Sequence, residues 1–259
     1  MSLIEVNSTS IHYESTGAGS SVLFIHGLGS STRDWERQVE HFAPSYRVIT
    51  LDLRGHGQSD KPNGPYTIHQ FSEDVAELID ELDLAPVSAV GISLGGMVAF
   101  QLATDHPELM DRLVVVNALP DNRLLHEARG QIWMRRFIVR FLGLERMGRI
   151  LGARLFPDED MEEERMQMAR RWAENDKRAY QHSFEAAVDW PGVTDQLQSF
   201  DRPTLMISSD QDYVGLDQKQ PYLDALPQVK HVVIEDARHA VPVERPDRFN
   251  EVLTEFLAG

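Results

Sequence analysis

The chain has 259 residues, enough for one large domain or two small ones, with 42% hydrophobic and 25% charged residues, the profile of an ordinary globular protein rather than a disordered one. It contains no cysteine, which excludes a disulfide framework, thiolate metal sites and a cysteine nucleophile. A formal charge of -16 argues against nucleic acid as a partner, since phosphate binding needs a positive face.

Ile4 to Val6 and Ile11 to Glu14 read as an opening antiparallel hairpin. The N-terminus lacks a cationic start and an apolar run, and no stretch reaches the length of a membrane span, so the chain reads as cytoplasmic. Val22 to Ile25, Arg47 to Leu51, Val87 to Val90 and Leu113 to Val116 are short β-branched runs of the kind that form buried strands. Between them lie helix-period segments. The clearest, Ile68 to Leu82, puts Phe71, Val75, Leu78, Ile79 and Leu82 on one face. The alternation predicts a mostly parallel sheet with helices on both faces. It resumes with strands Thr204 to Ser208 and Val232 to Glu235 and a last helix after Pro246, for eight strands in all.

Residues 121–200 interrupt the pattern and read as helices inserted between two parts of a core formed by 1–120 and 201–259. The insertion holds 13 of the 25 Lys and Arg but only 14 of the 41 Asp and Glu, so it is near neutral on an acidic protein. Gly143, Gly148 and Gly152 favour two shorter helices over one long one. Its one low-complexity tract is the acidic run Asp158 to Glu164. Trp133, Phe137 and Phe141 share a helical stripe and are expected to wall a substrate pocket, with Arg135, Arg136 and Arg140 facing water.

The strand Val87 to Val90 runs into Gly91-Ile92-Ser93-Leu94-Gly95-Gly96 and then an apolar helix from Met97 to Ala103. This is a G-x-S-x-G turn in strand–turn–helix context, the setting that exposes a nucleophilic serine. The helix start would place free NH groups and a positive dipole end beside Ser93. Val22 to Ile25 ends in His26-Gly27-Leu28-Gly29, so the backbone NH groups of Leu28 and Leu94 are candidates for an oxyanion hole. His26 reads as structural.

Taken in order, His26-Gly27-x-Gly29, Asp52-Leu53-Arg54-Gly55-His56-Gly57-Gln58-Ser59, Gly91-x-Ser93-x-Gly95-Gly96, Asp212 after a late strand and Arg238-His239 before the last helix resemble the α/β-hydrolase superfamily. The resemblance spans nearly the whole chain except the insertion, which corresponds to the family's variable cap or lid. It implies a nucleophile at Ser93, a base at His239 and an acid in the loop Ser208 to Tyr213. The family pattern selects Asp212 there, with Asp210 and Asp121 as alternatives, and Ser209 replaces the usual glycine. Asp52, Arg54 and His56 are expected to brace their turn.

The chemistry implied is cleavage of small-molecule carboxylic esters through an acyl-enzyme, with no metal, flavin or nicotinamide. The stretch Gly64 to Thr67 is similar to 3-oxoadipate enol-lactonases, so an enol-lactone or other lactone is an alternative substrate. Cofactor-free perhydrolase (haloperoxidase) and C–C bond hydrolase chemistry are further alternatives, and a non-catalytic binding protein is a reading of a different class. Ser93 argues against dehalogenase and epoxide hydrolase activity, which use Asp at that position.

Overall fold

The computed structural model describes residues 2–123, 129–157 and 161–259, so the first three residues of the acidic run Asp158 to Glu164 lie outside the described residues. Eight strands form one sheet: β1 Ser2–Val6, β2 Thr9–Thr16, β3 Ser21–Ile25, β4 Arg47–Leu51, β5 Val87–Ile92, β6 Met110–Val116, β7 Thr204–Ser209 and β8 Val229–Ile234. Their spatial order is β1-β2-β4-β3-β5-β6-β7-β8. The first two strands pair antiparallel with each other and β2 with β4, and all remaining pairs are parallel.

The central strands β3 and β5 are buried along their whole length, which explains why they read as unbroken apolar runs. One side chain in two points to each face. Leu23, Ile25 and Ala89 join the core under α2 (Ile68–Glu81) and α3 (Leu94–Asp105), while Val22, Phe24 and Val90 join the core under α1 (Glu36–Phe42) and the C-terminal helix. Thr67 caps α2, its hydroxyl accepting from Gln70 N at 3.0 Å. The helix ends at Glu81, one residue before the expected boundary. β8 begins at Val229, three residues before the expected Val232. Its half-buried start carries Lys230 and His231, and these hide an edge strand from a hydrophobicity pattern.

Between β6 and β7 the described residues form helices α4 Arg129–Phe137, α5 Gly143–Leu155, α6 Glu162–Ala173 and α7 Lys177–Asp189, with a π turn at Ile138–Leu142 joining the first two. The break falls at Gly143, whose φ of +84° a side chain would resist. Gly148 has a different role from the expected weakening of a helix. A Cβ there would stand 2.9 Å from the Ala169 Cα, so its absence lets α5 press directly on α6. Three further helices, α8 Leu216–Ala225, α9 Val241–Glu244 and α10 Pro246–Ala258, complete the chain. Among the described residues no helix is long and apolar enough to cross a membrane.

Candidate active site

The carboxyl ends of the parallel strands open into one cavity of about 590 Å³, whose lining includes Leu28, Ser93, Leu94, Asp212 and His239. Ser93 sits between β5 and α3 with φ +54° and ψ −115°, a backbone conformation rare for a residue with a side chain. The turn is held by Ser93 N donating to Val116 O at 3.0 Å. Its neighbours must be glycine: a Cβ on Gly91 or on Gly95 would stand 2.2 Å from the carbonyl oxygen of Gly95 or of Ile25, respectively. Leu94 opens α3, where backbone NH groups have no intrahelical partner.

His239 follows β8 in a loop, and its Nδ1 lies 2.6 Å from Asp212 Oδ1. With Nδ1 donating to the carboxylate, Nε2 is the ring nitrogen left to accept a proton. The Asp212 side chain is 1% exposed and that of His239 18%. Burial alone would raise the Asp212 pKa, but the electrostatic pull and hydrogen bonds of His239 and Lys219 outweigh it and hold the carboxyl below the usual range. The other carboxylate oxygen, Oδ2, accepts from Lys219 Nζ at 2.8 Å. Tyr213 stacks on the His239 ring at 4.5 Å, and burial pushes its phenol up to about 12.

The alternative acids are engaged elsewhere. Asp210 Oδ1 accepts from Ala237 N at 3.1 Å, and Asp121 accepts from Tyr222 Oη at 2.8 Å. Asp52 braces its turn as expected, accepting from Thr32 N at 2.7 Å and Gln58 N at 2.8 Å, while Arg54 forms a buried ion pair with Asp74. His26 bridges two loops through Gly27 O at 2.7 Å and Leu53 N at 3.0 Å, and burial lowers its pKa. His56 is buried beside it, its pKa pushed down to about 3 by burial. Both are neutral structural imidazoles.

The family model described as alpha/beta hydrolase fold matches residues 20–246. The chain belongs to this family. Among curated proteins, this α/β hydrolase is 31% identical over 239 residues to 3-oxoadipate enol-lactonase 2 of Acinetobacter baylyi, covering 90% of this chain and 86% of that protein. Among solved structures, the enol-lactonase from Burkholderia xenovorans superposes with a TM-score of 0.90 at 27% identity over the full length of both chains. A bromoperoxidase from Bacillus anthracis superposes with a TM-score of 0.91 at 26% identity, covering 100% of this chain and 99% of that one.

The helical segment of this α/β hydrolase corrects the expected pocket wall. Trp133, Phe137 and Phe141 do share a stripe, but they are 64%, 41% and 69% exposed, pack ring against ring and do not line the cavity. Ile132 and Val139 occupy the buried side of that segment. Arg135, expected in water, lines the cavity instead; its guanidinium donates to Tyr180 Oη at 2.7 Å and lies 4.9 Å from the Phe184 ring centre. Arg136 pairs with Glu185 on the surface, as a solvated charge would, and Arg140 is exposed. The apolar wall comes from Leu151, Leu155, Trp172 and Phe184.

Asn117 was not legible as part of the site. At φ +46° after β6, its side chain donates to Ser209 Oγ at 2.7 Å and to the His239 carbonyl at 3.0 Å, tying three strand ends together. An Asn directly after an apolar strand, a residue type that tolerates a left-handed backbone, was the available signal. Outside the cavity lining, His69, Glu73 and Asp105 gather possible metal-ligating atoms within 4.8 Å, but they are partly or fully exposed and already in contact with one another.

Proposed function

We propose that this α/β hydrolase cleaves carboxylic esters of small molecules through an acyl-enzyme on Ser93. The observation that carries the reading is the serine held at φ +54° at the edge of a cavity also lined by a bonded His239–Asp212 pair. Ser93 Oγ attacks the carbonyl carbon as His239 Nε2 takes its proton, and Asp212 fixes the imidazole tautomer and stabilises the imidazolium. The backbone NH groups of Leu28 and Leu94 are proposed to receive the tetrahedral oxyanion. His239 returns the proton to the leaving alkoxide, then takes one from the water that releases the acid and restores Ser93. A fluorophosphonate probe is expected to label the wild-type protein at one site, mapped to Ser93 by peptide mass spectrometry. No labelling, or labelling that persists in Ser93→Ala, rules the reading out.

One observation favours a second reading, hydrolysis of a lactone or ester that bears a carboxylate. Arg135 puts a guanidinium, which is never neutral at working pH, into the wall of the same cavity. The enol-lactonase likeness points the same way. Arg135→Gln is expected to lower kcat/KM for a carboxylate-bearing ester roughly tenfold to a hundredfold while leaving a neutral ester within about twofold. Equal losses on both esters would assign Arg135 to packing alone.

A further inference from the structure

Lys219 is an outlier in its surroundings. It lies on α8, a helix whose sequence Leu-Asp-Gln-Lys-Gln-Pro reads as a solvent-facing surface, yet its side chain is fully buried. Its ammonium donates to Asp212 Oδ2 at 2.8 Å and to Asn117 Oδ1 at 3.2 Å. The partner carboxylate is also buried, and its other oxygen is taken by His239 at 2.6 Å. A buried ammonium is costly, and hydrophobic residues of similar volume replace buried ion pairs with little loss in many proteins. Packing alone therefore does not call for a lysine here.

We propose that Lys219 is a positioning residue for the hydrolysis. Paired to the outer oxygen of Asp212, it fixes the rotation of that carboxylate and takes up part of its negative charge. His239 consequently releases its extra proton at a lower pH than an unaccompanied Asp212 would impose. The proposal rests on the reading of Ser93, Asp212 and His239 as the reacting set.

A carboxylate held through one oxygen can swing about its terminal bond, and here the second oxygen is pinned by a donor that Asn117 pins in turn. Ser209 N also donates to Asn117 Oδ1 at 3.0 Å, so β6, β7 and α8 all bear on the same point. Asp212 and Lys219 together are neutral, so the imidazolium meets a dipole rather than a bare anion, and the base stays in its working form further into acid. Other charged or titratable groups also face this cluster. Glu244 on α9 accepts from Arg238 N and Ala240 N, Arg154 on α5 lies 4.4 Å from the Tyr213 ring centre, and His231 on β8 feels the Lys219 charge. Of these only His231 loses a repulsive neighbour when Lys219 is replaced, and its ring signals are followed apart from those of His239.

The test compares Lys219→Met and Lys219→Gln, which remove the charge, with Lys219→Arg, which keeps it. The His239 ring is titrated directly by NMR, its signals assigned with His239→Gln, and kcat is followed against pH with a neutral p-nitrophenyl ester. In the neutral variants the His239 titration midpoint and the acid limb of kcat are expected to move up by roughly one pH unit. Plateau kcat should fall about tenfold with KM within about twofold. The arginine variant should restore the midpoint. Folded neutral variants with an unmoved midpoint, or an arginine variant shifted as far as they are, would overturn the proposal. The NMR midpoint needs no turnover, so it judges Lys219 even if Ser93→Ala retains activity, the result that would instead defeat the underlying reading.

Discussion

Alanine at position 93 is expected to lower ester turnover by on the order of 10⁴-fold or more while leaving the protein folded. The loss should be that large because proton removal by His239 has no object once the hydroxyl is gone, so the three side chains fail as one unit. Residual activity would come from the cavity and the oxyanion donors alone. Folding should survive because the strain belongs to the backbone, where φ at residue 93 is +54°, and a methyl group meets the same constraint as a hydroxymethyl. Thermal unfolding by circular dichroism within a few degrees of wild type would establish this. A folded Ser93→Ala protein that keeps more than about a hundredth of wild-type kcat/KM would remove Ser93 from the reaction.

Much of this architecture could be read from residue patterns because the central strands are buried on both faces. An apolar run of that kind leaves few other places to go, and Ser21–Ile25, Arg47–Leu51 and Val87–Ile92 fall within two residues of expectation. The turn at Ser93 was legible for a steric reason: only glycine fits two residues to either side of it. What the pattern could not supply was direction. A stripe at i, i+4 and i+8 shows that Trp133, Phe137 and Phe141 share a face, but not whether that face meets a cavity or water. The same limit hid Arg135, whose apolar stem and aromatic neighbours carry a charge inward. Lys219 was invisible for the opposite reason. Its local sequence is polar throughout, and its burial depends on Asp212 and Asn117, neither of which lies beside it on its own helix.

The acid position shows where residue chemistry stops and geometry takes over. Asp210 and Asp212 occupy the same short loop, so composition cannot rank them, yet only Asp212 meets the His239 ring. Asp212→Asn is expected to lower kcat by about 10³- to 10⁴-fold, whereas Asp210→Asn should cost less than about tenfold. The loss at Asp212 depends on Lys219. An asparagine there has one oxygen and one NH₂ group to offer three donors, the ammonium on one side and the His239 Nδ1–H with Tyr213 N on the other. With the oxygen toward Nδ1 and Tyr213 N, the NH₂ abuts the ammonium and the negative charge that stabilises the imidazolium is gone; with the oxygen toward the ammonium, the NH₂ turns toward Nδ1 and forces that nitrogen to become an acceptor. The ring proton then moves to Nε2, the atom that must be bare to take the proton from Ser93. At Asp210 no such conflict exists, because an amide oxygen can still accept from Ala237 N. Plateau kcat for both variants, measured on protein checked for folding, decides between them. A larger loss at Asp210 would transfer the acid's role to that residue and leave the Asp212–His239 contact as architecture.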